Sequence, residues 1–227
     1  MPKLLLMGSA FLPPSVLEPL AASLGSLGHE VTVASPWEPA GPEEALGVYA
    51  AALADLEAPI LVAHSNAGNY VPLLLPRHQV AGVVFVDAVL PPLAGGAWRV
   101  VPEELADHVD SLSEGDRALP WTRWWARDEM VGLFPSEAAF EEVDNASPWV
   151  PKSYFRAELD APGAWARSVT GAYLAFGDTY ADELARASAY GWPVDVLPLS
   201  HLGVLGQPDL VASAVERLLG RPTEPRP

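Results

Sequence analysis

Residues 61–68 read LVAHSNAG, and the parsing of this stretch decides what the rest of the chain can be. An apolar run from Pro59 to His64 has the length and composition of a buried strand, and the segment after Ser65 reads as a helix. Ala63 and Ala67 stand two residues before and two after the serine. A sharp strand-to-helix turn that presents a nucleophile tolerates only small side chains at those places, because the two backbones approach closely. LVAHSNAG meets that steric demand with alanine where a GxSxG motif carries glycine. The ordinary alternative is a serine capping a helix N-terminus. Whether Ser65 is more than a cap depends on what the rest of the chain supplies.

Outward from this stretch, strand and helix patterns alternate. Lys3 to Met7 is a short apolar run stopped by Gly8 and reads as a buried strand. Leu17, Leu20, Ala21, Leu24 and Leu27 recur at helical spacing, with Gly28 as the C-terminal stop. Glu30 to Ala34 (EVTVA) is strand-like, and Pro42 to Leu56 is a helix opened by proline and two acids. Gly82 to Asp87 (GVVFVD), Ala172 to Phe176 and Val194 to Leu197 are further strands. Asp209 to Leu219 closes the pattern as an amphipathic helix with Leu210, Val211, Ala214, Val215 and Leu218 on one face. Strands that alternate with helices specify an α/β fold with a mostly parallel sheet covered on both faces.

The pattern changes between about residues 91 and 166, which are acidic, interrupted by proline and show no clear strand. Six of the eight tryptophans, Trp98, Trp121, Trp124, Trp125, Trp149 and Trp165, fall there. This stretch reads as an inserted helical lid, with helices in PEELADHVDSL, WTRWWARDEM and SEAAFEEV. Buried aromatics are core material first; Phe11, Trp98, Trp121, Trp124 and Trp125 are the candidates for lining an apolar ligand pocket. The expected organisation is a core of residues 1–90 and 167–220, a lid of 91–166, and a disordered tail, 221–227.

Composition removes several function classes. With 227 residues, half of them hydrophobic, the chain is long enough for one domain with a substantial core. Its net charge of −16 repels nucleic acid and anionic membrane surfaces, which are bound through clustered Lys and Arg. The absence of cysteine excludes disulfides, a thiolate nucleophile and thiolate metal sites. No run of about 18 apolar residues is present to span a bilayer. The N-terminal MPKLLLMGSAFLPP superficially resembles a short signal peptide, but Gly8 and Ser9 break its apolar run and no convincing cleavage site follows, so a cytoplasmic protein is expected. No HExxH, clustered His and Asp, P-loop or GxGxxG with a downstream acid appears, so neither metal nor cofactor is implied. The expected partner is a small-molecule substrate, and the chain is read as a monomer or homodimer.

A serine hydroxyl needs a base within hydrogen-bond reach to act as a nucleophile. Of five histidines, His29 and His78 read as surface residues and His108 lies on a charged lid helix. His64 should point away from its neighbour Ser65 along the strand. His201 differs, because it follows VDVLPL on a strand-end loop late in the chain, after the serine and an acid, in the order of a hydrolase triad.

These segments together resemble the α/β-hydrolase superfamily over nearly the whole length. LLLMGSAF is similar to its first strand and oxyanion loop, VAHSNAG to its nucleophile elbow, and LPLSHLGVLGQPDLVASAVERLL to its histidine loop and last helix. The resemblance implies Ser65 as nucleophile and His201 as general base and then general acid. It implies oxyanion donors in the backbone amides of Asn66 and of Ser9 or Ala10, with Gly8 permitting the chain reversal that aims that loop.

A triad also needs a buried carboxylate to orient the imidazole. The superfamily's commonest position for it lies after the strand that precedes the histidine strand, where FGDTYADE offers Asp178, with Asp182 less favoured. Asp178 follows Gly177 immediately instead of three residues later, and DTYADE reads as a helix cap and first turn. The alternative position lies one strand earlier, where GVVFVDAVLPP offers Asp87. A carboxylate ending so apolar a strand is costly to bury without a partner such as an imidazolium, which favours Asp87 over the runner-up Asp178.

The expected function is a serine hydrolase that cleaves a small apolar or aromatic carboxylic ester or thioester through an acyl-enzyme. Two alternatives use the same fold: a lyase or cyclase that employs the serine and histidine for proton transfer, and a noncatalytic ligand-binding member.

Overall fold

The computed structural model describes residues 2–220; the tail 221–227, expected to be disordered, lies outside them. In chain order the elements are β1 (Lys3–Met7), α1 (Glu18–Ser26), β2 (Glu30–Ala34), α2 (Pro42–Ala54), β3 (Ile60–Ser65), α3 (Val71–Leu74) and β4 (Gly82–Ala88). An inserted stretch follows with β5 (Gly96–Arg99), α4 (Glu103–Leu112), α5 (Arg127–Val131), α6 (Glu137–Ala146), α7 (Lys152–Phe155) and β6 (Glu158–Ala161). The chain then returns through β7 (Gly171–Phe176), α8 (Ala181–Ala189), β8 (Val194–Leu197), α9 (Gly203–Gly206) and α10 (Pro208–Leu219).

Among the described residues β2-β1-β3-β4-β7-β8 form one sheet in that spatial order, every pair parallel. The apolar runs behave as a sheet buried on both faces requires. Leu5, Met7, Leu61, Ala63, Val83 and Phe85 point into one core, shared with Ala45, Tyr49 and Leu53 of α2. Their alternates Leu4, Leu6, Val62, Val84 and Val86 point into the other, shared with Leu20 and Leu24 of α1 and Val211 and Val215 of α10. Winding reverses between β1 and β3, so the carboxyl ends of these two strands border a crevice of the kind in which such sheets bind ligands.

The inserted stretch differs from its expected form in two respects. It contains a two-stranded antiparallel ladder, β5 with β6, where no strand was expected. Neither segment carries a hydrophobic alternation of its own; Gly96–Arg99 is mostly exposed, and the pairing joins residues about sixty apart in sequence, a tertiary event without local signal. WTRWWARDEM is not one helix. Trp121–Arg123 forms a single 3-10 turn and α5 starts only at Arg127, because Ala126 between them is extended. The turn is tied down elsewhere: Thr122 and Arg123 both donate to the Asp144 carboxylate of α6, and Trp124 Nε1 donates to the Leu119 carbonyl at 2.8 Å.

One smaller expectation is also corrected. His29 is buried, since α10 covers the turn between α1 and β2 and places the Glu216 carboxylate against its ring. At Gly8 a Cβ would lie 2.0 Å from Ser35 Oγ, so the loop after β2 crosses close to it. Gly28 does adopt the left-handed conformation, φ +94°, that ends α1. No helix among the described residues is long and apolar enough to cross a membrane.

Candidate active site

At the end of β3 the chain turns sharply at Ser65, whose φ of 59° and ψ of −130° are unusual for a side-chain-bearing residue. The following segment starts as a 3-10 turn, Asn66–Tyr70, before α3. The crowding predicted around the serine is most acute at Gly68. A Cβ on Gly68 would meet the Val89 carbonyl oxygen at 2.0 Å. Val89 in turn donates its amide to the Ser65 carbonyl at 3.1 Å, which locks the turn onto the end of β4.

The adjacent strand is irregular in the same place. His64 pairs with Val86 but Ser65 pairs with Ala88, so Asp87 is skipped in the register. Such a bulge re-aims a side chain, and Asp87 carries the positive φ, 43°, that the re-aiming entails. The strain is braced by the Tyr173 hydroxyl, which contacts both main-chain polar groups of Ala88. As a result the fully buried Asp87 carboxylate turns toward β7 and β8. Its Oδ1 accepts the Phe176 amide at 2.8 Å, and its Oδ2 lies 2.6 Å from His201 Nδ1. His201 Nε2 lies 3.0 Å from Ser65 Oγ. Serine, imidazole and carboxylate therefore form one continuous hydrogen-bonded line. Asp178 is exposed at the rim of the cavity, Asp182 lies beside it on the first turn of α8, and His201 takes its carboxylate from Asp87.

Ser65 and His201 open onto a cavity of about 1010 Å³. All five aromatic pocket candidates, Phe11, Trp98, Trp121, Trp124 and Trp125, line it. Trp98 is also structural, since its Nε1 donates to Asn69 Oδ1 at 2.8 Å. Asn69 holds the turn by donating to the Asn66 and Val100 carbonyls. The lining also includes polar residues of the β7–α8 connection, Thr179 and Tyr180, and of α8, Glu183 and Arg186. Burial raises the Glu183 carboxyl above the usual range.

Of the implied oxyanion donors, Asn66 lines the cavity, while Ser9 and Ala10 are buried outside its lining. In that first loop, Gly8 donates to Ala34 O, Phe11 to Ser9 Oγ and Leu12 to Ser9 O, whereas the Ser9 and Ala10 amides bond to nothing among the described residues. The Asn66 amide opens a helical turn, where main-chain donors lack intrahelical partners. The side chain of Asn66 is held from the inserted stretch, by Tyr154 donating to Oδ1 at 2.9 Å. No group of three or more metal-ligating side chains occurs among the described residues.

Two residues at the site are not singled out by the sequence as functional positions. Tyr180 lines the cavity beside Ser65 and His201. His64 leaves the serine side, as strand alternation requires, yet packs directly against His201: the rings stack at 4.8 Å and its Nε2 donates to the His201 carbonyl at 3.1 Å. Burial, then the proximity of His201, pushes the His64 pKa down to about 3.

That displacement makes a stability prediction. Between about pH 6.5 and 3 the unfolded chain protonates this histidine and the folded chain does not. Unfolded protein then binds the extra proton, so stability falls as pH drops through this window, by up to about 1.4 kcal/mol per pH unit. His64→Gln keeps a donor near Nε2 but cannot titrate. Urea denaturation at pH 7, 5.5 and 4.5 is expected to give a shallower loss for the variant than for the wild type; parallel losses would contradict a neutral buried His64.

No family model matches the sequence, and no curated protein matches it. Solved structures do. An extracellular α/β-hydrolase from a Paenibacillus species superposes with a TM-score of 0.75 at 16% identity, covering 96% of this chain and 99% of that one. A pyrethroid hydrolase from Sphingobium faniae gives 0.69 at 22% identity, over 97% and 98% of the two chains. The chain has the α/β-hydrolase fold. Tomato methylketone synthase I superposes on the same fold with a TM-score of 0.68 at 13% identity, covering 96% of this chain and 98% of that one. The Ser65 turn lies at the end of β3, and β5 to β6 lie in the connection from β4 to β7.

Proposed function

We propose that the protein is a serine hydrolase acting on a small carboxylic ester or thioester with an apolar or aromatic body. The observation that carries this reading is the line from Ser65 Oγ through His201 to the fully buried Asp87 carboxylate, opening onto a tryptophan-lined cavity. A carboxylate so deeply buried is stabilised by the two donors it accepts from, and one of them is the imidazole that must become cationic during turnover.

In the reaction Ser65 Oγ attacks the substrate carbonyl while its proton passes to His201 Nε2. The amides of Asn66 and of Ser9 or Ala10 receive the developing oxyanion. Collapse expels the leaving group, which takes the proton from His201, and leaves the acyl group on Ser65. Water, deprotonated by His201, then attacks the acyl-enzyme and releases the acid. Throughout, Asp87 holds Nδ1–H and stabilises the imidazolium. Residues 91–166 act as the lid over the cavity, contributing Trp98, Trp121, Trp124 and Trp125.

A series of p-nitrophenyl esters of increasing acyl length, followed by mass spectrometry of the enzyme quenched during turnover of a slow ester, tests this. Expected is a mass gain of one acyl group located on Ser65. Turnover of a substrate with no such adduct under any quench would instead favour proton-transfer chemistry at the same residues, and absence of turnover with tight ligand binding would favour a receptor.

A further inference from the structure

Tyr180 stands three residues after Gly177, where the resemblance expects the triad acid. Asp87 fills that role from the neighbouring strand, so the position is free to do something else. Its phenol lines the cavity together with Ser65 and His201. The ring lies 5.9 Å from the His201 imidazole, tilted by 42°.

Sheet order decides which side of the nucleophile the tyrosine serves. The loop after β1, carrying Ser9 and Ala10, reaches Ser65 from one flank of β3. Asp87, Tyr180 and His201 arrive from the ends of β4, β7 and β8, all on the opposite flank. When the oxyanion turns to the main-chain donors of the β1 side, the leaving-group oxygen turns toward His201, and so toward Tyr180.

We infer that Tyr180 is a further catalytic residue, whose hydroxyl donates a hydrogen bond to the leaving-group oxygen as the acyl–oxygen bond breaks. In the tetrahedral intermediate Ser65 Oγ is bonded to carbon, and the Tyr180 hydroxyl, on the His201 side of the cavity, donates to the departing oxygen. The C–O bond breaks with its electron pair passing to the leaving oxygen, which takes its proton from His201 Nε2. Tyr180 keeps its own proton. Burial, and then the Asp87 charge, raise its pKa, so it remains a donor through the neutral range. By microscopic reversibility it also steadies the water that attacks the acyl-enzyme.

This inference rests on the hydrolase reading above, and the test separates the two. Two esters with one acyl group are compared, a p-nitrophenyl ester whose leaving group departs unaided and an ethyl ester whose alkoxide needs stabilisation. The measured quantity is kcat/KM, which reports steps through acylation. Tyr180→Phe is expected to lower kcat/KM roughly 100-fold for the ethyl ester and less than about threefold for the p-nitrophenyl ester. Equal losses on both esters, or no loss on either, would overturn it, since a packing role does not sense the leaving group. If the Phe variant does not fold, Tyr180→Leu, which buries no new polar atom, carries the same comparison. Ser65→Ala is the reference. If it stays active the hydrolase reading has failed; if it is dead while Tyr180→Phe shows no leaving-group dependence, only the role of Tyr180 has.

Discussion

Ser65→Ala is expected to lower kcat on a p-nitrophenyl ester by roughly 10⁴- to 10⁶-fold with little change in the urea midpoint. The serine hydroxyl contacts His201 Nε2 at the cavity and has no other hydrogen-bond partner among the described residues. Alanine occupies the same φ of 59° at similar conformational cost, and the Ser65 carbonyl still accepts the Val89 amide. Activity and stability therefore separate at this residue, unlike at most buried positions. A variant that keeps full kcat with unchanged KM would end the acyl-enzyme reading. The size of the effect follows from the loss of the attacking atom; what activity survives comes from the main-chain donors and the pocket acting on water alone.

The second large effect distinguishes the two carboxylates that follow the β4 and β7 strands. Asp87→Asn is expected to lower kcat by about 10⁴-fold, whereas Asp178→Asn stays within about threefold, as an exposed rim substitution should. Asp87 accepts from Phe176 N and from His201 Nδ1 with separate oxygens. An asparagine has one acceptor oxygen, so its amide N–H must face either a main-chain donor or the imidazole. The first choice leaves a buried clash of donors, costing on the order of 1–3 kcal/mol. The second forces the tautomer with a proton on Nε2, which cannot take one from Ser65. Steady-state kinetics and urea denaturation on both variants check this together. A dead Asp178→Asn beside an active Asp87→Asn would move the acid to the position after β7.

These two residues also show where sequence stops being informative. The alternation of apolar runs and amphipathic segments made the layered sheet legible, because a strand buried on both faces has no freedom in composition. The serine turn was legible because close backbone approach admits only small neighbours, although the tightest contact proved to be at Gly68, where the Val89 carbonyl crosses. The β5–β6 ladder left no pattern, being a pairing of two short polar segments, and the break in WTRWWARDEM depended on Asp144 reaching back from α6. His64 was placed correctly away from Ser65 by strand alternation, yet its stacking on His201 joins residues 137 apart and could not be anticipated. Tyr180 stands three residues after Gly177, a position the sequence marks only as a place for an acid.

The sequence by itself determined the order of strands and helices, the serine between small neighbours, and a late histidine on a strand-end loop, since each is dictated by local sterics or by burial along one element. The apolar strand around Asp87 already favoured it over Asp178 as that histidine's partner, and tertiary structure decided how its carboxylate reaches the imidazole. A register slip between β3 and β4 turns Asp87 inward, while Asp178, after β7, is exposed. Register is a property of two strands together, and no single strand encodes it.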